Sequence, residues 1–343
     1  MSFVFNSENI LKSTGLIAGA HNIVITSHKS PDGDAVGSLL SMLLMMDELG
    51  HNATAILPDE PPAFLGWMKG AERIVVFDQN GDAAKAAIAA ADLIFVLDYN
   101  ALHRTGSEME IELAASQAQF IMIDHHQQPQ DLPGVIYSDT SSCSTCQLIY
   151  EFFVASGWKE KINPSMAECL YCGIMTDSGS FRFPSVTPDT HRIVAEMMEN
   201  GLDHAHVHRE VYDTNSLDRL KLVGFALSEK LEVIESCATA IVSISTEELN
   251  KFSHRPGDTE SLVNQALSIQ GVKLAAFFRE GNNEVKVSFR SKGNFDVNAF
   301  ARLNWNGGGH RNAAGGKSTD DLETSIARFK NEIIGISDQI KNS

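Results

Sequence analysis

Long apolar runs are absent from this sequence of 343 residues, and no basic region precedes an apolar one near its start. A membrane-spanning helix needs about 18–20 consecutive apolar residues. The stretch 39–46 is shorter, is interrupted by Ser41 and is followed by Asp47 and Glu48. An export signal requires a positively charged segment before its apolar core. We therefore expect a cytoplasmic protein without a membrane partner.

Basic residues are also scarce, with 27 Lys and Arg against 44 Asp and Glu, a net charge of −17. Proteins that coat duplex nucleic acid depend on many Lys–phosphate and Arg–phosphate contacts, so this balance argues against a duplex partner. Local charge can still oppose the global sign. From Lys273 to Lys317 there are eight basic and three acidic residues, which leaves +5 (8 − 3). We predict that this segment binds an anion.

The five cysteines include two C-x-x-C pairs, Cys143/Cys146 and Cys169/Cys172. Two such pairs can form a structural zinc site. Here the thiols fall in helical patterns, and a spacing of three residues places both on one face of a helix. Buried cysteine packs as a small apolar residue. We predict core cysteines, with zinc and a redox pair as the alternatives.

Strands, turns and helices alternate up to about residue 195, and the chain is long enough for two domains. This alternation predicts an α/β fold, in which a parallel sheet has helices on both faces. The predicted strands are 22–26, 53–57, 74–77, the segment ending at Asp98, and 120–123; the predicted helices are 34–49, 83–91, 145–156 and 188–200.

The remainder begins with a polar helical stretch and then turns to short strands. Strands are predicted at 239–245, 272–279 and 284–290, and a Gly-Asn-Asn turn joins the last two. A helix at 297–303, a glycine-rich loop and a helix at 322–338 follow. This pattern predicts a second, smaller α/β domain.

Acidic and histidine side chains cluster where the strands of the first domain end. In an open parallel sheet, such residues converge on one crevice at the carboxyl edge. A further aspartate, Asp177, follows a helical stretch and is placed less firmly by pattern. The clustered residues are His28, Asp32, Asp34, Asp98, Asp124, His125, His126 and Asp177.

Carboxylates packed this closely repel one another unless cations neutralise them, so the pattern predicts a site for two divalent metals. Carboxylate and imidazole donors without thiolate suit Mn²⁺, with Mg²⁺, Fe²⁺ or Co²⁺ possible. Two such ions suit phosphoester hydrolysis. Taken singly, each aspartate has a simpler role as a turn or helix cap.

The run Gly307-Gly308-Gly309-His310 lies within the basic segment. Exposed backbone N–H groups of successive glycines can nest an anion, and His310 can add a donor. Arg290, at the end of a predicted strand, can bind a phosphate with two hydrogen bonds. The loop is not a Walker A motif, because Arg311 stands where the first glycine is required. A flexible loop is the alternative.

Together these residues resemble the DHH phosphoesterase family, which is named for the motif at Asp124-His125-His126. The C-terminal part resembles the DHHA1 domain, through Val-Lys-Val-Ser-Phe-Arg290-Ser and Gly-Gly-Gly-His310. The resemblance implies a DHH metal-binding catalytic domain at 1–195, a helical connector at 196–235, and a DHHA1 substrate-binding domain with a mixed sheet at 236–343. The length and the glycine loop are most similar to the short-oligonucleotide hydrolases, or nanoRNases.

The resemblance also implies roles for individual residues. His28, Asp32 and Asp98 would hold one Mn²⁺. A second Mn²⁺ would be held by Asp34, Asp98, His125 and Asp177, with Asp98 bridging the two. Asp124 would orient a ligand, as metal-bound imidazoles generally require, and His126 would face the scissile phosphate. The residues implied in substrate binding are Arg290, Gly308, Gly309 and His310, with Arg104 as an additional candidate.

The expected activity is Mn²⁺-dependent hydrolysis of short single-stranded oligoribonucleotides and of 3′-phosphoadenosine 5′-phosphate, a nucleotide bisphosphate, by a hydroxide bound to two metals. Hydrolysis of pyrophosphate or polyphosphate by the same centre is the alternative. A nucleotide sensor without turnover and a recombination-type nuclease are further possibilities, the latter disfavoured by chain length. A homodimer is one candidate for the assembly.

Overall fold

The protein, described here from a computed structural model over residues 4–281 and 284–343, divides into two compact units, Met1–Thr214 and Asn215–Ser343. Within the described residues, no helix combines the length and the apolar character that crossing a membrane demands. Each unit contains its own six-stranded sheet and its own apolar core.

The sheet of the first unit is entirely parallel, with the strand order β3-β2-β1-β4-β5-β6. Because β1 has β2 on one side and β4 on the other, the order reverses beside it, which is where α/β sheets open a crevice. The strands are β1 Ile23–Thr26, β2 Ala53–Leu57, β3 Val75–Val76, β4 Leu93–Leu97, β5 Gln119–Asp124 and β6 Gly134–Ser138.

Helices cover both faces of this sheet, as the sequence predicts. One face packs against α1, α2, α5 and α6 and the other against α3 and α4, and each face has its own apolar layer. The helices are α1 Ser7–Gly19, α2 Gly33–Glu48, α3 Gly81–Ala90, α4 Ser107–Ala115, α5 Thr145–Ala155, α6 Pro164–Asp177, α7 Pro188–Glu199 and α8 His204–Tyr212.

Strands β1 and β4 are buried along their whole length, and β5 is buried after its first residue. Strands covered on both faces read as continuous apolar runs, which explains why the sequence predicts them well. Strand β6 was not predicted. It lies at the sheet edge and alternates half-buried with buried residues, so its apolar signal is weak.

All five cysteines are free and buried, as predicted for core thiols. Four of them pack in the first unit, where α5 and α6 meet α2. Burial, the largest cause in each case, raises the pKa of Cys143 and Cys169 to about 12.

The second unit has a mixed sheet in the order β11-β12-β10-β9-β8-β7, in which only β8 and β9 run parallel. This confirms the predicted fold class. The strands are β7 Leu231–Ile234, β8 Thr239–Ile244, β9 Leu274–Glu280, β10 Val285–Ser291, β11 Gly308–His310 and β12 Ala313–Ser318. The helices are α9 Leu217–Glu229, α10 Thr246–Lys251, α11 Leu262–Leu267, α12 Val297–Asn304, α13 Leu322–Gly335 and α14 Ser337–Lys341.

Two predictions for the second unit are wrong. The glycine-rich segment is an antiparallel hairpin, β11 with β12, and not a loop. A Cβ atom at Gly316 would lie 2.7 Å from Cβ of Trp305, so glycine permits the close packing. The predicted helix 322–338 is two helices, which separate at Ile336. The predicted Gly-Asn-Asn turn includes Asn282 and Asn283, which lie outside the described residues.

Candidate metal centre

The turn between β1 and α2 brings the first cluster to the carboxyl edge of the sheet. Asp32 caps α2, because its Oδ1 accepts hydrogen bonds from the backbone N–H groups of Asp34 (3.0 Å) and Ala35 (3.1 Å). Gly33 allows the turn to pack against α6, since a Cβ atom there would lie 2.5 Å from Oγ1 of Thr176. The turn thereby positions both Asp32 and Asp34 beside the strand ends.

Asp98 follows β4 in a left-handed backbone conformation, with φ of 65°. Such conformations are uncommon outside glycine and concentrate at functional sites. Its N–H donates to the carbonyl of Ile123 (3.1 Å), which holds the backbone against β5. The hydroxyl of Thr145 donates to Asp98 Oδ1 (2.8 Å). Both contacts fix the direction of this carboxylate.

Backbone carbonyls orient two of the three imidazoles. Nδ1 of His28 lies 3.0 Å from the carbonyl of Lys29, and Nδ1 of His125 lies 3.3 Å from the carbonyl of Ser142. A ring nitrogen that donates to a carbonyl leaves the other nitrogen, Nε2, with its lone pair available to a metal. Nδ1 of His126 is instead held by Asp124 Oδ1 at 2.7 Å.

Two groups of donors gather around Asp98. In the first, Asp98 Oδ2 lies 3.4 Å from Nε2 of His28, and Asp32 completes the group within 4.8 Å. In the second, Nε2 of His125 lies 3.3 Å from Asp177 Oδ2 and 3.7 Å from Asp34 Oδ2. The same nitrogen is 3.5 Å from Asp98 Oδ1, so Asp98 stands between the two groups.

Asp34 is almost fully buried, and the start of α5 holds it. Its Oδ2 accepts the N–H of Thr145 (2.6 Å) and its Oδ1 accepts the N–H of Cys146 (2.9 Å). The first N–H groups of a helix have no partner within the helix and favour negative charge. Gly173 lies opposite, where a Cβ atom would be 2.6 Å from Asp34 Oδ1. Helices α5 and α6 therefore enclose this carboxylate.

Burial sets the electrostatics of the centre. Burial, followed by the charges of Asp98 and Asp177, raises the pKa of Asp34 well above its ordinary value, and burial with the charges of Asp32 and Asp177 does the same for Asp98. Burial, followed by His126, lowers the pKa of His125 to about 4. Neutral imidazoles among crowded carboxylates are what a divalent cation requires of its ligands.

Two of the candidate ligands are accessible to solvent. Asp32 is exposed and the side chain of Asp177 is 27% exposed, whereas the side chains of Asp34 and Asp98 are only 1–2% exposed. A substrate can therefore reach the centre at Asp32 and Asp177.

Arg104, in a short 3₁₀ helix Leu102–Thr105, lies near this centre. Its charge, after burial, lowers the pKa of His126 to about 3. Its Nε is buried and has no hydrogen-bond partner, which is costly unless a ligand supplies one. Arg104 is thus suited to bind an anion by donating this N–H group.

The remaining substrate candidates lie in the second unit. Arg290 is in β10, opposite Ala313 of β12, and donates from Nη1 to the carbonyl of Phe289 (3.0 Å). Gly308, Gly309 and His310 form β11. The prediction of exposed amides is wrong for Gly309, whose N–H donates to Asn298 Oδ1 (3.0 Å).

Sequence reasoning missed Thr145, the Ser142 carbonyl and Gly173. The segment Asp139-Thr-Ser-Ser-Cys-Ser-Thr145 does carry a signal, because Ser144 directly before an apolar helical run is an N-cap pattern. That pattern locates the start of α5 but gives no indication of what the start contacts.

Family models match both parts of the chain. The DHH family, N-terminal domain, matches residues 22–174, and the DHHA1 domain matches residues 238–336. The chain belongs to the DHH family. The Asp124-His125-His126 motif of this DHH protein lies at the end of β5, and its three side chains are among the donors of the candidate metal centre.

The chain is 28% identical over 310 residues to the bifunctional oligoribonuclease and PAP phosphatase NrnA of Bacillus subtilis, covering 89% of this chain and 92% of that protein. The protein of the same name from Thermus thermophilus is 28% identical over 295 residues, or 85% and 83% of the two chains. A solved structure of an exopolyphosphatase-related protein from Bacteroides fragilis is 36% identical, with a TM-score of 0.94 over 99% of this chain and 100% of that one.

This DHH protein is an enzyme, a phosphoesterase that hydrolyses phosphoric esters. The predictions of family and of enzyme class are confirmed.

Proposed function

We propose that this DHH phosphoesterase is a Mn²⁺-dependent phosphodiesterase and phosphatase that hydrolyses short single-stranded oligoribonucleotides and 3′-phosphoadenosine 5′-phosphate in the cytoplasm. The observation that carries the proposal is the pair of donor groups that share Asp98. The NrnA proteins that the chain resembles bear the names of both activities. Its acidic charge of −17 argues against long or duplex nucleic acid.

The donor set fits two divalent ions. His28, Asp32 and Asp98 would hold one ion, and Asp34, Asp98, His125 and Asp177 the other. The raised pKa values of Asp34 and Asp98 support this fit, since those carboxylates are unfavourable as buried anions without a counter-charge. Carboxylate oxygens and imidazole nitrogens suit Mn²⁺, and also accept Mg²⁺ or Co²⁺.

When bound, two such ions activate water and neutralise phosphate oxygens. Side chains of the protein would orient the substrate and bind its phosphate. Asp124 holds Nδ1 of His126 and so fixes the direction in which Nε2 faces a phosphate. Because burial, followed by the charge of Arg104, lowers its pKa to about 3, His126 is neutral at pH 7, and its Nε2 can accept a hydrogen bond. Arg104 offers its partnerless Nε to a phosphate oxygen.

Arg290, Gly308, Gly309 and His310 are proposed to bind a terminal phosphate. Support comes from the local charge of +5 between Lys273 and Lys317, and from the hydrogen-bond donors on the side chains of Arg290 and His310. Because the N–H of Gly309 is already engaged, side-chain donors carry more of this proposal than the glycine backbone does.

The test is a substrate panel with purified protein and Mn²⁺. We expect turnover of dinucleotides and of 3′-phosphoadenosine 5′-phosphate, with rates that fall as oligonucleotides lengthen. Asp98→Asn keeps a residue that tolerates a positive φ while removing the charge, so it should abolish turnover without unfolding the protein. Asp82→Asn, an exposed aspartate in the first turn of α3, is the matched control. Full activity of Asp98→Asn would rule out the proposed mechanism.

Hydrolysis of polyphosphate or pyrophosphate is the second candidate, and one observation favours it. The solved structure that is 36% identical is named as related to exopolyphosphatase. Tripolyphosphate and pyrophosphate therefore belong in the same panel. Faster turnover of these base-free substrates than of dinucleotides would favour the second candidate over the first.

A further inference from the structure

The turn that follows Asp177 has an unusual backbone. Gly179, Ser180 and Phe181 all adopt left-handed conformations, with φ of 59°, 57° and 62°. Single non-glycine residues in this region are uncommon, and two in succession next to a glycine store strain that surrounding contacts must offset. Strain of this kind concentrates at ligand-binding positions.

Buried contacts hold the turn in place. Ser178 is fully buried, and its Oγ accepts the N–H of Phe181 at 3.0 Å. Its carbonyl accepts the N–H groups of Arg182 (3.0 Å) and Phe183 (3.1 Å), which folds the chain back toward Asp177. The ring of Phe181 stacks on His191, with centroids 5.5 Å apart. The turn is therefore fixed at both its backbone and its side chains.

This arrangement places the ring of Phe183 over the backbone of Gly179. A Cβ atom at Gly179 would lie 2.6 Å from Cζ of Phe183, so only glycine lets the ring lie there. Phe183 is 36% exposed, and it is the one exposed phenylalanine in the part of the chain that the structure describes. Folding positions this ring in solvent although burial of an aromatic ring would be favourable.

The turn that carries this ring begins directly after Asp177, one of the candidate metal ligands. Asp177 is among the more exposed of the candidate ligands, at 27%, and the backbone of Phe183 is tied to the residue directly after it. Aromatic side chains beside a phosphate site provide stacking surfaces for bases, because every base presents a π-face. Phosphate-only substrates would gain nothing from such a ring.

We propose that Phe183 is a nucleobase platform, on which the base of a nucleotide stacks while its phosphate lies at the metal centre. The proposal rests on the proposed function and specifies its substrate class as one that carries a base next to the reacting phosphate. Gly179 and the strained turn hold the platform in position.

The test compares binding of adenosine 5′-monophosphate with that of ribose 5-phosphate, which has the same sugar phosphate and no base, by calorimetry with Mn²⁺. We expect the wild type to bind the nucleotide about tenfold more tightly, equivalent to about 1.4 kcal/mol. Phe183→Ala should remove this preference and leave the affinity for ribose 5-phosphate unchanged. Phe183→Trp should retain the preference. Leu11→Ala, another exposed apolar side chain, is the control.

The outcomes separate the platform from the proposed activity. Equal binding of both ligands by the wild type, or an unchanged preference in Phe183→Ala, would overturn the platform. So would an equal loss of affinity for both ligands, since that would indicate a structural role. Binding does not depend on turnover, so failure to cleave dinucleotides would overturn the proposed function while the ligand preference still decided the platform.

Discussion

At the scale of single residues, the sequence predicted which side chains form the candidate metal centre, because the carboxyl ends of parallel strands meet at one edge of the sheet. His28, Asp98 and Asp124 each follow a buried run, and the structure brings them together. The contacts that orient these side chains could not be predicted. Thr145 is 47 residues from Asp98 along the chain, and no local pattern connects a helix start to a distant carboxylate.

Thr145 should determine how well Asp98 binds metal. Thr145→Val removes the hydroxyl that holds Asp98 Oδ1 but leaves the backbone N–H that holds Asp34. Loss of an outer hydrogen bond to a ligand weakens metal binding by about 10–100-fold, so we expect at least tenfold weaker Mn²⁺ affinity by calorimetry. Thr145→Ser should restore it.

The matched control for that experiment is Thr190→Val. It also removes a buried hydroxyl, one that donates to Gln147 Oε1 (2.8 Å) and contacts no candidate ligand. Mn²⁺ affinity should stay at the wild-type value in this variant. If both valine variants bound Mn²⁺ equally well, Thr145 would have no role in positioning Asp98.

Metal binding should depend on pH through the same residues. The lowered pKa of His125 gives stability that is lost as pH falls from 6.5 toward 4. The raised pKa values of Asp34 and Asp98 act oppositely, so their contribution is lost as pH rises through those values. Metal ions replace the protons on these groups. We therefore expect Mn²⁺ to raise the melting temperature more at pH 8 than at pH 5.

Proton release provides the second measurement. At pH 5, calorimetry in two buffers of different ionisation heat should show protons leaving the protein as Mn²⁺ binds. An equal rise in melting temperature at both pH values, with no proton release, would argue against ligands whose protons compete with the metal.

At the scale of elements, buried strands and helices with clear periodicity were predictable, and elements built from glycine were not. Strand β2 has the predicted bounds, whereas β11 and β12 contain four glycines and read as a loop. What makes them strands is tertiary packing against Trp305, which local propensity does not contain.

The crossing of α2 and α6 gives the prediction at this scale. A Cβ atom at Gly37 would lie 2.4 Å from the carbonyl oxygen of Cys169, a backbone atom that cannot move aside cheaply. Gly37→Ala should destabilise the protein by about 1–3 kcal/mol, the usual cost of overpacking. The free energy of unfolding in urea measures it.

Gly15 provides the matched control. It lies within α1 with no atom near the position of a Cβ. Gly15→Ala should stabilise the protein by about 0.4–1 kcal/mol, because alanine restricts the unfolded chain. Equal effects of the two substitutions would show that the helices separate readily at their crossing.

At the scale of the whole molecule, length and pattern change indicated two domains, and the structure has two units that part between Thr214 and Asn215. Helix α8, from the predicted connector, is in the first unit. It contacts α6 through His208 Nε2 and Tyr171 Oη, 3.0 Å apart. The polar sequence of α8 does not predict this packing, because Val207 and Val211 are the only buried residues of the helix.

Mn²⁺ should slow the hydrogen exchange of backbone amides more in the first unit than in the second. The eight acidic and histidine side chains predicted for the centre all belong to Met1–Thr214, so the energy of metal binding adds to the stability of that unit. Hydrogen exchange followed by mass spectrometry should slow at the start of α5 and in the turn before α2. The sheet of Asn215–Ser343 should exchange at its metal-free rate, and uniform protection of both units would contradict this prediction.

The buried cysteines allow the opening of each unit to be measured by the rate at which their thiols react. Four of the five are in the first unit and Cys237 is in the second, and all are buried. An alkylating reagent attacks a thiolate that it can reach, so labelling proceeds only through molecules that have opened locally or globally. Mass spectrometry of Cys237 and of the other four would time the two openings separately, in an unmodified chain and without an added dye.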